Sequence, residues 1–300
     1  MKVQKTKKKT PLFAIIILVV LIVYMISLIL PMIWLLYTSL KESVDYQIDP
    51  IFPVLPFTLK SYVSAFENFK LTVNVFNLAG EVTGTKPVLF EGMMFNSIAY
   101  SLGCALVQTA VTCVTAYTTS RFNFKFDNVI YNIVIITMIL PIVGSLPSEL
   151  RMADAFGLLD SIPGMFVMKA HFLGMYYLVF HAMFRGIPKD YDEAAYIDGA
   201  DNFIIFFQII LPLAAGTFLT IALINFITFW NDYTTPLVYM PNKPTIAYGL
   251  YMFVQDTTTP RAFKPVKLAA CMLVFIPNFA VFLIFRNKLL GNISMGGLKG

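Results

Sequence analysis

Residues 12–37 read LFAIIILVVLIVYMISLILPMIWLLY, and no charged side chain interrupts them. A helix rises about 1.5 Å per residue, so about 20 apolar residues cross the ~30 Å hydrocarbon core of a bilayer. This run is long enough to cross alone. Lys2, Lys5, Lys7, Lys8 and Lys9 precede it. A basic head and an apolar core also describe a secretory leader, whose core spans only about 7–15 residues and ends at a small-residue cleavage site. The core here is longer and no such site follows, so the run reads as a retained span with a kink at Pro31.

Composition carries the same reading to the whole chain of 300 residues. Apolar residues make up 58% and charged residues 13%, with mean hydropathy +0.73. Soluble domains hold about 45–50% apolar and about 25% charged residues. So few charges cannot cover a water-facing surface, and the chain must use lipid as part of its solvent. Disordered, collagen-like and disulfide-rich secreted classes are excluded by the same numbers. The net charge of +5 is concentrated beside the first span, where it reads as a positive-inside anchor rather than a nucleic-acid patch. Cys104, Cys113 and Cys271 lie inside apolar stretches at neither zinc nor redox spacing, and are read as packing residues.

Five further apolar runs follow: Asn96–Thr119, Val129–Leu146, Gly164–Phe184, Ile209–Trp230 and Leu268–Phe285. The expected architecture is an all-α integral membrane protein with six transmembrane helices and both termini in the cytoplasm. It divides into a basic head (1–11), a six-span domain (12–286) and a cytoplasmic tail (287–300). Outer loops are expected at 39–94 and 231–265, both proline-bearing and suited to docking. In the first, Leu71, Val73 and Val75 alternate with polar residues ahead of Gly80 and Gly84, which predicts a short hairpin.

Polar residues inside spans are costly and need a partner or a wet path. In span two, Ser97, Ser101, Ala105, Gln108, Thr112, Thr115 and Thr119 form a small and hydroxylated stripe, read as helix packing rather than a pathway. Span five sets Asn225, Thr228 and Asp232 on one face, the better pathway candidate, with Trp230 read as an interfacial belt residue. Lys169 is expected to snorkel. His171 and His181 lack any partner cluster at ligand spacing, so no metal and no cofactor are expected. No glycine-rich phosphate loop and no catalytic constellation occurs, so the chain is not expected to be an enzyme. A secondary transporter would want mid-membrane acids and repeat halves, which weighs against that alternative.

One cytoplasmic segment, 186–212, carries a distinct signal. Pro188 suits a first helical turn, Asp190, Asp192 and Glu193 complement the helix dipole, Gly199 is placed to end the helix, and Asp201 to cap the next. Glu193-Ala194-Ala195, three residues, Gly199, nine residues, Ile209, one residue and Leu211-Pro212 reproduce the EAA signature, which resembles that of binding-protein-dependent ABC importer permeases. The chain is similar over nearly its full length to the sugar-importing branch, and to the second membrane subunit of the maltose permease. Ser39-Leu40-Lys41, Asn96-Ser97, Ala116-Tyr117 with Arg121-Phe122, Ile197-Asp198-Gly199-Ala200 and Trp230-Asn231-Asp232-Tyr233 with Pro236-Leu237 support this. Residues 71–93 exceed the family's usual first outer loop.

The resemblance implies a type I ABC importer permease fold and a sugar, specifically oligosaccharide, importer worked by alternating access. It implies that Glu193, Ala194, Ala195 and Gly199 contact a cytoplasmic ATPase, supported by Asp198, Leu211 and Pro212, with a tail contact at Lys299 and Gly300. The implied partners are a second, different permease subunit, two ATPase subunits, an extracellular solute-binding protein and membrane lipid. Importers of amino acids, phosphate or peptides remain the alternative. For the topology, cysteines placed at Ser64 and Thr258 in a background without the native thiols should react with an impermeant thiol reagent in intact cells; protection of both would overturn the orientation.

Overall fold

The computed structural model describes residues 12–76, 81–122, 124–140, 144–258 and 260–293. It is mostly helical. Helices α1 (Leu12–Ser39), α2 (Ser43–Ile48) and α3 (Lys60–Asn68) precede an antiparallel hairpin of β1 (Lys70–Phe76) and β2 (Val82–Leu89). Then come α4 (Phe90–Arg121), α5 (Asp127–Ile139), α6 (Leu146–Ala155), α7 (Ile162–Lys169) and α8 (Met175–Gly186). The short α9 (Asp190–Ile197) and α10 (Asn202–Ile204) lead into a π-helix, Ile205–Ile210, and α11 (Leu211–Asn231). The chain closes with α12 (Thr234–Tyr239), α13 (Ile246–Gln255) and α14 (Lys264–Ile293).

Among the described residues four helical stretches are long and apolar enough to cross a membrane: α1, α4, Asn202–Asn231 and Lys264–Arg286. The other two apolar runs differ from their expected form. Residues 129–146 do not make one helix: α5 ends at Ile139 and Leu140 is already extended. At about 1.5 Å per residue α5 is about 20 Å long, short of the hydrocarbon core. Residues 164–184 are also divided, because α7 stops at Lys169 and α8 starts only after Gly174. Gly174 has φ +132°, a conformation that side chains of L-residues rarely adopt. Hydropathy averages over such a break and cannot register it.

The chain forms two compact units, one joining the chain up to Asn68 with Val254–Leu273, the other holding Phe69–Phe253 and the chain from Val274. In the first unit the end of α1 and the loop behind it are organised by Lys41. Its side chain is fully buried, and Nζ donates to the carbonyls of Asp49 (2.7 Å) and Phe52 (2.5 Å). The ammonium also lies 5.3 Å from the Tyr37 ring centroid. Ser61 Oγ donates to the Lys41 carbonyl at 2.8 Å, and Tyr37 Oη donates to the Ile51 carbonyl. Asp49 accepts from the amides of Ile51 and Phe52 at 2.9 Å each, and the Phe52 and Ile51 amides hold its carboxyl below the usual range. Near the other end of this unit, the Thr258 hydroxyl and amide, followed by Arg261, hold Asp256 down at about 2.

In the second unit α4 is the central helix, packed on α11, α8 and α7. Its hydroxylated stripe is the glue, as the sequence suggests. Thr119 and Tyr177 hydroxyls meet at 2.7 Å, the Ser97 hydroxyl accepts from the Ile246 amide at 2.6 Å, and Thr112 bonds back to Gln108. A Cβ on Gly103 would lie 2.2 Å from the Phe166 ring, so glycine there is what lets α7 seat on α4. Two apolar clusters flank α4 along its length: one around Tyr117, Tyr177, Phe180, Phe184 and Ile210, the other around Tyr100, Cys104, Met165, Phe229 and Met240. Cys104 and Cys113 are buried and free.

The hairpin expected around Val73 is present, with Lys70 opposite Leu89 and a bulge at Val75/Phe76. Its backbone is tied down at Asn74, whose amide donates to Asn242 Oδ1 at 3.0 Å. Asn242 in turn donates its amide and Nδ2 to the Asp160 carboxylate at 2.9 and 2.5 Å. Trp230 departs from expectation: it is buried, 5.7 Å from the Phe226 ring centroid, rather than set in an interfacial belt. Removal of the lysine amine in Lys41→Ala strands two carbonyls from a charged donor, and bonds to charged groups are worth about 1.5–3 kcal/mol each. Limited proteolysis of the Lys41→Ala protein should therefore cut residues 42–58 at least tenfold faster, with cleavage elsewhere unchanged; an unchanged rate in that loop would refute the role given to Lys41.

Candidate functional site

Helix α9 is built by its own sequence. Asp190, Asp192 and Glu193 occupy its first turn, where carboxylates offset the positive end of the helix dipole. At its far end Gly199 has φ +81°, with Gly199 N–H donating to the Tyr196 carbonyl (3.0 Å) and Ala200 N–H to the Ala195 carbonyl (2.9 Å). This pair of bonds is the Schellman termination, which satisfies the last carbonyls and reverses the chain. Asp201 Oδ1 then accepts from the Ile204 amide at 2.8 Å, capping the next helix. Tyr196 Oη donates to Asn202 Oδ1 at 2.5 Å and braces the turn from outside.

The segment beyond the cap is wound as a π-helix over Ile205–Ile210 before it becomes the α-helix at Leu211. Pro212 carries no N–H, so the regular i to i−4 bond to the Gln208 carbonyl cannot form, and π-turns are found where such ladders are interrupted. Leu211 packs against the cluster around Tyr117 and Ile210. The Leu211-Pro212 pair thus sits where the short helices join the long one.

Glu193, Ala194, Asp198 and Gly199 are exposed. Ala195 is not: it is buried in the chain's own cluster with Tyr117, Phe184 and Phe206. Its small side chain lets α9 lie close to the π-helix, and it also lines the open groove beside α9. An open groove of about 740 Å³ runs between Asp190, Tyr191 and Ala194 on one side and Ile204, Gln208 and Ile209 on the other. Lys299 and Gly300 lie outside the described residues.

In the sequence Arg121 stands out only through the Arg121-Phe122 pair that supports the resemblance, and its place in this site is not legible there. At the end of α4, the Arg121 guanidinium is buried; Nη1 donates to the Ile187 carbonyl (2.7 Å), and Nη2 reaches the Pro188 carbonyl (3.4 Å) and Asp192 Oδ1 (3.2 Å). Tyr117, one turn earlier, sets its ring edge-on to Phe122 and Phe184 and tilted against Phe206, with centroids 4.7–5.6 Å apart. The long helix α4 is therefore bonded directly to the start of α9.

The three residues of the span-five face do not share one environment. Asn225 is buried and donates to Thr109 Oγ1 at 3.0 Å, which is helix packing against α4. Thr228 is exposed, with its hydroxyl bonded back to Ile224. Asp232 accepts from Tyr100 Oη at 2.9 Å through Oδ2 and from the Thr235 amide at 3.0 Å through Oδ1. Lys169 lies between Thr235 Oγ1 (3.4 Å) and the Phe229 ring (5.8 Å). His181 is buried between the rings of Tyr131 and Tyr177, and no cluster of metal-binding side chains occurs among the described residues.

The family model described as "Binding-protein-dependent transport system inner membrane component" matches residues 108–289. The sulfoquinovosyl glycerol transport system permease protein SmoH of Agrobacterium fabrum is 25% identical over 93% of this chain and 91% of its own length. The diacetylchitobiose uptake system permease protein NgcG of Streptomyces coelicolor is 25% identical over 93% and 87%. The trehalose transport system permease protein SugB of Mycobacterium tuberculosis is 27% identical over 86% and 94%. A crystal structure of a bacterial ABC transporter involved in the import of the acidic polysaccharide alginate superposes with a TM-score of 0.75, covering 94% of this chain and 99% of that one at 20% identity, a likeness of fold.

A Cβ on Gly199 would meet open space, so the effect of replacing it is conformational. Gly199→Val should lose about 1–3 kcal/mol through strain at positive φ, whereas Gly199→Asn, which tolerates the left-handed region, should stay close to wild type. Thermal unfolding in detergent and proteolysis between 189 and 202 read both; equal behaviour of the two variants would show that the turn does not need a left-handed residue.

Proposed function

The chain belongs to the binding-protein-dependent transport system inner membrane components, and on that premise we propose that it is the permease subunit of an ATP-driven sugar importer, with an oligosaccharide as cargo. The observation that carries the reading is the α9 segment: an exposed helix with an acidic first turn, ended by Gly199 and bonded to α4 through Arg121. Such a segment offers a partner a rigid knob and links it by direct bonds to a membrane-spanning helix. The relatives named for sulfoquinovosyl glycerol, diacetylchitobiose and trehalose favour a sugar over an amino acid, phosphate or peptide. The subunit is not itself an enzyme; hydrolysis belongs to the ATPase partners.

In this reading the protein sits in the inner membrane with six crossings, α5 and the α7–α8 pair supplying the two that are not single long helices. Both termini, and α9 with them, face the cytoplasm. Glu193, Ala194, Asp198 and Gly199 meet the ATPase, and the groove beside α9 belongs to the same contact. The tail residues Lys299 and Gly300 are proposed as a second contact. The loops 39–94 and 231–265 face the solute-binding protein. A second, different permease subunit completes the pathway, to which this chain brings Thr228 and the Tyr100–Asp232 pair, while Asn225 holds α11 on α4.

Co-expression with an ATPase and a second permease subunit from the same source tests the reading. The complex should hydrolyse ATP, and this chain purified alone should not; hydrolysis by the lone chain would overturn the assignment. Ala194→Trp, on the exposed side of α9, should lower the amount of co-purifying ATPase about tenfold or more, equivalent to ~1.4 kcal/mol. Unchanged recovery would mean that α9 is a connector only.

A further inference from the structure

We propose that Arg121 is a positioning residue that acts as a latch: its grip on Asp192 passes from one bond to two when α9 moves toward α4, so that movement of the short helix is transmitted to the long one. The inference rests on the reading of this chain as a permease driven through α9, and names the link that carries the drive.

Three observations on one side chain support it. The guanidinium is almost fully buried, at 4% exposure, and Asp192 is only 17% exposed, so neither group can exchange this partner freely for water. The Arg121–Asp192 contact is slack: one bond, from Nη2 to Oδ1, at 3.2 Å, where charge-assisted bonds between a guanidinium and a carboxylate close to about 2.7–2.9 Å. Finally, Arg121 Nε is buried and has no hydrogen-bond partner among the described residues. Buried polar donors are rarely left in that condition, and each one calls for an explanation.

The three fit together because Nε and Nη2 form one edge of the planar guanidinium. Nη2, one end of that edge, already donates to Asp192 Oδ1 at 3.2 Å and reaches the Pro188 carbonyl at 3.4 Å. A carboxylate brought closer along the edge accepts from both donors at once, the two-pronged geometry that arginine favours and lysine cannot make. The opposite corner stays fixed, since Nη1 is committed to the Ile187 carbonyl at 2.7 Å. The anchor and the open edge thus sit on one rigid plane. A shift of α9 that carries Asp192 inward gains a bond and satisfies an orphan donor, while a shift outward loses the Arg121–Asp192 bond. The arrangement favours two discrete positions of α9 relative to the end of α4.

The test uses the full complex of this chain with its partner permease, ATPases and binding protein in proteoliposomes, measuring sugar transported per ATP hydrolysed, with co-purifying ATPase as the check on assembly. Arg121→Lys keeps charge and length but not the fork, and Asp192→Asn keeps shape but not charge. Each should lower transport per ATP about three- to tenfold with ATPase recovery unchanged, and the double variant should be no worse than the worse single, as expected for two ends of one link. Asp192→Glu adds one methylene of reach; it should close the two-bond grip without movement of α9 and raise hydrolysis severalfold in the absence of loaded binding protein. Normal transport per ATP in Arg121→Lys, independent losses that multiply in the double variant, loss of ATPase from the Arg121→Lys complex, or unchanged unstimulated hydrolysis in Asp192→Glu would each overturn the latch. Failure of the wild-type chain to assemble with any ATPase would instead overturn the reading on which it rests.

Discussion

Inside a bilayer the hydrophobic effect does not hold helices together, because lipid tails are as apolar as leucine. The second unit of this protein answers that constraint on a single helix. Small or hydroxylated residues around α4 meet its neighbours through specific fits: Asn225 against Thr109, Tyr177 against Thr119, Phe166 over Gly103. Every other feature of the unit hangs from those fits. The buried rings fill the space that close approach leaves, and Arg121 at the end of the same helix fixes the loop that follows α8.

The same device accounts for what lies at the two ends of α4. Toward Phe90 it joins the hairpin, which the Asn74–Asn242–Asp160 chain of bonds ties to the loop after α12. Toward Arg121 it grips Ile187, Pro188 and Asp192. A helix bonded at both ends to loop structure behaves as a rod, and on the function proposed above the segments addressed by a solute-binding protein and an ATPase are both attached to it. The connecting π-helix and Pro212 place the irregular backbone at the junction with α11, where the ladder of regular bonds is already interrupted.

Much of this was legible in the residues. The apolar runs, the hairpin around Val73, the packing role of the α4 stripe, the cap at Asp201 and the turn at Gly199 all follow from local patterns whose causes act within a few residues. What was not legible depends on partners distant in the chain. Arg121 and Lys41 look like topology charges, yet both are buried, because carbonyls 66 residues away in one case and 8 and 11 in the other surround them. Asn225 has the pattern of a pathway residue, but its partner Thr109 lies 116 residues earlier. Ala195 and Trp230 have ambiguous chemistry, and only packing turns them inward. The breaks in the third and fourth runs hide in hydropathy averages, since glycine at φ +132° is as apolar as any other glycine.

The carbonyl cage around Lys41 has a consequence for how α1 sits in lipid. A uniformly apolar helix has no preferred depth of its own; over α1 one residue is as greasy as the next, and a slide along the axis costs little. The lysine head marks one end of α1, and Lys41 marks the other. Its ammonium is held by carbonyls of the loop, not by the helix, so sinking α1 by one residue, about 1.5 Å, stretches both bonds, and sinking it further drags a charge toward hydrocarbon. The loop that follows α1 thereby forms a polar collar at the end of an otherwise uniformly apolar helix, and the charge it holds cannot enter hydrocarbon without giving up those bonds.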